Sequence, residues 1–217
     1  MSNWYEKINL KTAHILEQIK AHSFIQELMA GTLPKDIFYF YINQDAIYLS
    51  EYKKILAQIG IKCLDENDTQ FFLNAATGII NVENALHQNF LNQKTITNEA
   101  SITCELYISY LSRMVHTKSL EEGLAAVLPC FTIYQQIGDY ILANQTNKNN
   151  NPYQDWINTY GGEAFANSVK KAIEITNNHT VKASPEQINN MNKAFEKASK
   201  LEWMFWDSAY NKESWKI

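Results

Sequence analysis

Cys130 stands in the run Ala125-Ala126-Val127-Leu128-Pro129-Cys130-Phe131-Thr132-Ile133-Tyr134, an apolar stretch with a proline immediately before the thiol. Another apolar side chain would fill that volume without the liability of oxidation, so packing alone explains the cysteine poorly. As a thiolate it would be a soft nucleophile. That needs a positive group, a helix N-terminus or hydrogen-bond donors to bring its pKa down from about 8.5. No Lys or Arg is close in sequence and the nearest histidine is His116, so tyrosine hydroxyls would have to serve, Tyr134 one turn on among them. Without such donors Cys130 reads as a small buried hydrophobe.

Two carboxylates sit in aromatic company. Asp45 has Tyr41 at minus four and Tyr48 at plus three, which puts all three on one side of a helix. A carboxylate there can accept hydrogen bonds from an amino group or ring N–H while a tyrosine stacks on the ring. The plain alternative is an exposed or capping aspartate. Glu202 is flanked by Trp203, Phe205 and Trp206. In a low-dielectric pocket its pKa would rise and it could act as a general acid; the alternative is a surface glutamate on an amphipathic helix. Glu83 and His87 form Glu-x-x-x-His, a spacing that can place two ligands on one metal, but no second such motif accompanies it and a structural pair is the better reading. His14, His22, His116 and His179 form no ligand pattern. Together a nucleophile candidate, a tyrosine set and an aromatic-wrapped glutamate suggest an enzyme for a flat, electron-poor ring.

The elements that must hold these groups read as helices. Lys35 to Gln58 follows Pro34, a good first-turn residue, and places Phe38, Tyr41, Asp45, Tyr48 and Tyr52 on one face. Asp65 to Asn92 repeats Phe72, Ala76, Ile79 or Ile80, Glu83, Leu86 or His87, and Phe90. Glu99 to Val115 carries Tyr107, Tyr110 and Met114. Leu120 to Asn144 holds Pro129 mid-way, so a kink is expected at Cys130. Tyr153 to Thr176 contains Gly161-Gly162, which should weaken or bend it. Ser184-Pro185-Glu186-Gln187 combines a cap, a first-turn proline and an acidic start, opening a helix to about Tyr210. Asn144 to Pro152 is polar and too short to divide domains, so it is read as a surface loop.

Composition bounds the rest. With 217 residues, 46% of them apolar, the chain can form one domain over 1–217. Its 7 Gly and 4 Pro disfavour a turn-rich β fold, so a single all-α helical bundle of about seven or eight helices is expected. A formal charge of -4 without a basic cluster argues against nucleic acid as the main partner. No stretch approaches the roughly 20 apolar residues of a membrane span. No secretory leader pattern opens the chain, and Cys63, Cys104 and Cys130 are odd in number and far apart, so neither a disulfide scaffold nor a zinc site is expected and the cytoplasm is the default location.

Taken in order, Gly31-Thr32-Leu33-Pro34, Gln44-Asp45-Ala46-Ile47-Tyr48-Leu49, Ala85-Leu86-His87, Leu128-Pro129-Cys130 with Tyr134, Trp156-Ile157 with Thr159-Tyr160-Gly161-Gly162, and Glu202 with Phe205-Trp206 and Ala209-Tyr210 resemble the TenA/thiaminase II family over nearly the whole chain. The resemblance implies a heme oxygenase-like helical fold, a homotetramer, and no metal or organic cofactor. It implies Cys130 as nucleophile, Glu202 as proton donor, Tyr48 as the tyrosine assisting the cysteine, and Asp45 as the carboxylate holding the amino edge of a pyrimidine. Tyr107, Tyr134 and Tyr160 match further pocket tyrosines and Phe205 a pocket wall. The cysteine places the chain with the cysteine-type branch. The chain departs from the family at His22-Ser23-Phe24, where His-Pro-Phe is common, and at Phe131-Thr132-Ile133, in place of a more aromatic stretch.

The implied activity is hydrolysis of an aminomethyl-pyrimidine to hydroxymethyl-pyrimidine and ammonia, and of thiamine to the same product and thiazole. Two rivals remain open at this point. One is a metal-dependent oxidase or oxygenase on the same fold using Glu83 and His87; the other is a non-catalytic pyrimidine-binding or regulatory protein.

Overall fold

A computed structural model of the chain describes the backbone of residues 3–86 and 99–216 and the side chains of 3–80 and 99–216. Among the described residues there are nine α-helices: α1 (Trp4–Ala21), α2 (Ser23–Ala30), α3 (Lys35–Lys62), α4 (Glu66–Leu86), α5 (Ile102–Thr117), α6 (Leu120–Asn144), α7 (Gln154–Tyr160), α8 (Glu163–Thr180) and α9 (Pro185–Tyr210).

Local chemistry sets most of the ends. Asn3 with Glu6, Ser119 with Glu122 and Ser184 with Gln187 each form a reciprocal capping box, and Pro185 occupies the first turn of α9. Ser101 accepts from the Cys104 amide and opens α5. Each such cap contributes about 1 kcal/mol. Gly31 closes α2 at φ 74, the left-handed conformation for which glycine carries no Cβ penalty.

Helices α3, α6 and α9 form the centre. α6 packs against α9, α8, α7 and α5; α3 packs against α4, α5 and α9. The expected face of α3, Phe38, Tyr41, Asp45, Tyr48 and Tyr52, is wholly buried. That removes the alternative of an exposed aspartate at 45. Trp156, Trp206, Tyr41 and Tyr107 are the largest fully buried side chains, and Trp206 stacks on Tyr41 at 5.1 Å between centroids. The core of this bundle is aromatic where the candidate site lies.

Two expectations change. The segment 153–176 is two helices, because Gly161 and Gly162 separate α7 from α8 and Gly162 serves as the α8 N-cap. This break, together with the short α2, carries the count past eight. α3 runs on to Lys62, since Ile59 and Gly60 continue its buried face. Pro129 lies inside α6, which runs from Leu120 to Asn144, proline removing a single amide donor.

Candidate active site

Five helices bring the candidate residues together. α3 supplies Asp45, Tyr48 and Tyr52; α6 supplies Cys130 and Tyr134; α9 supplies Glu202 and Phe205; α5 and α7 supply Tyr107 and Tyr160. A cavity of about 480 Å³ lies among α3, α4, α6, α7 and α8. Asp45, Tyr52, Cys130, Tyr134 and Tyr160 line it. Tyr48, Tyr107, Glu202 and Phe205 are absent from that wall and form a layer behind it. Tyr48 stacks on Tyr52 at 5.3 Å and packs against Tyr107 at 5.0 Å and Phe205 at 5.7 Å.

The thiol of Cys130 lies deep in the bundle while part of the residue stays open to the cavity. Burial pushes its pKa well above the ordinary value, the negative charge of Glu202 adds to the rise, and the hydroxyls of Tyr48 and Tyr52 work in the opposite direction. Of these two hydroxyls, Tyr48 is the one with a proton left to offer the thiol. Tyr52 donates its hydroxyl proton to the Val127 carbonyl at 2.8 Å, in the turn next to Pro129. The Tyr48 hydroxyl is buried and has no partner at ordinary hydrogen-bond distance, so its influence on the sulfur is a longer contact from a donor still available.

Glu202 is 1% exposed and accepts a hydrogen bond from the Tyr107 hydroxyl at 2.7 Å. Burial raises its pKa from 4.5 to about 8; the Tyr107 bond lowers it in part, and Asp45 raises it further. The carboxyl is therefore protonated at neutral pH, as a proton donor must be. Its neutrality also relieves the thiolate of Cys130 of a repulsive neighbour.

The tyrosines on the far side are held by one another. Tyr41 and Tyr134 share a hydroxyl contact of 3.2 Å, and Trp156 donates its indole N–H to the Tyr41 oxygen at 3.3 Å. Tyr134 and Tyr160 lie 4.7 Å apart between ring centroids. Gly138 permits this: a Cβ there would stand 2.6 Å from the Tyr160 carbonyl carbon and 2.7 Å from the Gly161 nitrogen. The backbone of α7 thus comes hard against α6, one turn beyond Tyr134.

A sequence model of the TENA/THI-4/PQQC family matches residues 10–212 of the chain. The chain belongs to this family. Among curated relatives, the aminopyrimidine aminohydrolase of Bacillus subtilis is 32% identical, across 89% of this chain and 84% of the relative. The thiamine biosynthesis multifunctional protein ThiED of Corynebacterium glutamicum is 35% identical across 90% of this chain, which spans 25% of that relative's length. Among solved structures, a TenA homologue protein from P. horikoshii superposes with a TM-score of 0.86 at 25% identity, covering 97% of this chain and 99% of that one. A domain with a heme oxygenase-like fold from Shewanella denitrificans reaches 0.76 at 18% identity, covering 95% and 92%. The fold of this TENA/THI-4/PQQC family member is thus the heme oxygenase-like helical one that the sequence led us to expect.

Two groups escaped the sequence reading. Tyr52 stands seven residues after Asp45 on the same face, and its place beside Cys130 is a signal the sequence carries, although Tyr48 and Tyr134 are the tyrosines it offers to the thiol. The second is the wall made by Phe71, Asn74, Ala75, Gly78 and Ile79 of α4, which lies beside the core register of Phe72 and Ala76. Of the pair considered for a metal, Glu83 lies on α4 with its side chain outside the described ones, and His87 lies outside the described residues. Among the described residues no group of three or more His, Cys, Asp or Glu is positioned to hold a metal ion, and no helix is long and apolar enough to cross a membrane.

Proposed function

We propose that the protein is an aminopyrimidine aminohydrolase of the cysteine-type, thiaminase II branch of its family, acting in thiamine salvage. Its substrates are 4-amino-5-aminomethyl-2-methylpyrimidine, which it converts to 4-amino-5-hydroxymethyl-2-methylpyrimidine and ammonia, and thiamine, from which thiazole departs. The observation that carries this reading is Cys130 facing a cavity beside Asp45 and Tyr160, with two tyrosine hydroxyls favouring its thiolate and Glu202 protonated at neutral pH.

Each residue has a task in this chemistry. Asp45 accepts the amino edge of the pyrimidine, and the faces of Tyr134 and Tyr160 pack on the ring. Glu202 gives its proton to a ring nitrogen, which makes the adjacent ring carbon electrophilic. Cys130, as thiolate, adds to that carbon with Tyr48 as donor to sulfur. The electron pair so placed expels the nitrogen leaving group from the exocyclic methylene, water adds there, and the thiolate departs. A cationic substrate favours the thiolate on arrival, which matters because burial alone opposes it. Glu202 sits behind the cavity wall, in the layer it shares with Tyr48, Tyr107 and Phe205. Tyr107 holds the carboxyl in place and Phe205 packs beside Tyr48.

Chain 1–217 acts as one domain in this reading, in the cytoplasm and as a homotetramer. The test is ammonia release from the aminomethyl-pyrimidine, with thiamine as second substrate, by the parent and by Cys130→Ser. Turnover by the parent with at least about a thousand-fold loss in the variant is expected. Ligand binding without turnover by the parent would overturn the hydrolase, and equal rates in the two proteins would remove Cys130 as nucleophile.

A further inference from the structure

Tyr134 faces the cavity, and behind it stand two buried side chains that the proposed reaction leaves unused. Tyr41 is on α3, one turn before Asp45, and Trp156 is on α7. Neither lines the cavity. Both are wholly buried; Tyr41 stacks on Trp206 at 5.1 Å, and Trp156 meets Tyr41 edge-on at 6.1 Å. Such contacts fix where their polar atoms sit.

The three polar groups form a chain whose direction is set at one end. The Trp156 indole N–H can only donate, and it gives its proton to the Tyr41 oxygen at 3.3 Å. Tyr41 has one proton of its own, kept on the oxygen by burial. Its other hydrogen-bond partner is the Tyr134 oxygen, 3.2 Å away. Were Tyr134 to donate instead, the Tyr41 oxygen would receive two donors and the Tyr41 proton would be buried without an acceptor, which is the costly arrangement. The order is therefore Trp156 to Tyr41 to Tyr134. Burial keeps Tyr134 protonated as well, and with its oxygen filled by Tyr41 it turns its own proton to the cavity. Asp45, on the same cavity wall, is an acceptor.

We infer that Tyr41, held by Trp156, is a specificity-determining residue that locks Tyr134 as a donor and so excludes rings presenting an N–H at that place. The inference rests on the aminopyrimidine reading and deepens it. A 4-aminopyrimidine offers an amino donor to Asp45 and, beside it, a bare ring nitrogen to Tyr134. The other ring nitrogen remains for Glu202. The 4-oxo ring offers the reverse: its carbonyl oxygen faces a carboxylate, and its ring N–H faces an O–H. A free tyrosine hydroxyl would rotate and accept from that N–H. Tyr134 cannot, because the Tyr41 proton occupies the lone pair it would use. The lock repels the wrong ring and leaves the hold on the right one nearly unchanged.

The test is calorimetric binding of 4-amino-5-hydroxymethyl-2-methylpyrimidine and its 4-oxo counterpart to the parent, Tyr41→Phe, Tyr134→Phe and the double variant. Ammonia release from the aminomethyl substrate is measured on the same samples. The parent is expected to favour the amino ring by at least about a hundredfold in Kd. Tyr41→Phe keeps a ring on Trp206 and is expected to cut that preference by about tenfold or more. The change should come from tighter binding of the oxo ring, with the amino-ring Kd moving by less than about threefold. Weaker binding of both rings alike would show a structural role only and overturn the lock. The double variant should show the same preference as Tyr134→Phe, since Tyr41 acts through Tyr134; additive losses would overturn this. Trp156→Phe frees the Tyr41 oxygen and reads the same ratio should Tyr41→Phe fail to fold. A parent that hydrolyses the aminomethyl substrate yet binds both rings equally would remove the lock and leave the hydrolase standing. A parent that neither binds nor hydrolyses the amino ring would remove both.

Discussion

Replacing Glu202 by glutamine tests the electrostatics of the site without reference to any substrate. The carboxyl is buried, accepts from Tyr107 and has its pKa raised from 4.5 to about 8. Glutamine preserves the shape and an oxygen to accept the Tyr107 bond, but it cannot ionise. A carboxyl with a raised folded-state pKa binds its proton more tightly folded than unfolded. Its contribution is therefore complete below the unfolded value near 4.5 and is lost as pH climbs through the folded value near 8. Across that window the parent should lose stability relative to Glu202→Gln at up to about 1.4 kcal/mol per pH unit, which sums to a ceiling of about 5 kcal/mol. Structural relaxation and water entry at the charged carboxylate reduce this to a few kcal/mol. Urea unfolding of both proteins from about pH 5 to about pH 8.5 measures it, because titrations common to both cancel in the difference. The two should agree within about 1 kcal/mol at the acid end, with the variant the more stable by a few kcal/mol at the alkaline end. A difference that stays flat over this range would show that Glu202 is ionised in the folded protein at neutral pH, and its assignment as proton donor would fall.

Two further outcomes follow from the same site. Cys130 should react with iodoacetamide at least about tenfold more slowly than a free thiol near pH 7.5, because burial holds it protonated; Tyr48→Phe should slow it further by removing a donor, while costing the fold little, since that hydroxyl has no close partner. Peptide mass spectrometry reads the rate at Cys130 alone, and a free-thiol rate would contradict the buried geometry. Gly138→Ala should destabilise the protein by about 1–3 kcal/mol despite the helix preference of alanine, because its Cβ would meet the Tyr160 backbone at 2.6 Å. Thermal unfolding decides it, and a raised Tm would refute the close approach of α7 to α6.

Much of the architecture was written in local signals. The serine caps, Pro185 at the start of α9 and the periodic face of α3 depend on neighbours within a few residues, so they can be read along the chain. The same periodicity put Asp45, Tyr48 and Tyr52 on one side of a helix, and the resemblance named the nucleophile, the acid and the pyrimidine partner. What the chain in one dimension could not hold was the state of those groups. Glu202 beside three aromatic residues is equally consistent with a surface helix; its pKa near 8 exists because α3, α5 and α9 converge to exclude water around it. The hydroxyls that work in favour of the Cys130 thiolate belong to Tyr48 and Tyr52, about eighty residues earlier and on a different helix, and not to the local Tyr134. The cavity is likewise a product of packing, since α3, α4, α6, α7 and α8 all contribute to its walls and the size of a space depends on every wall around it.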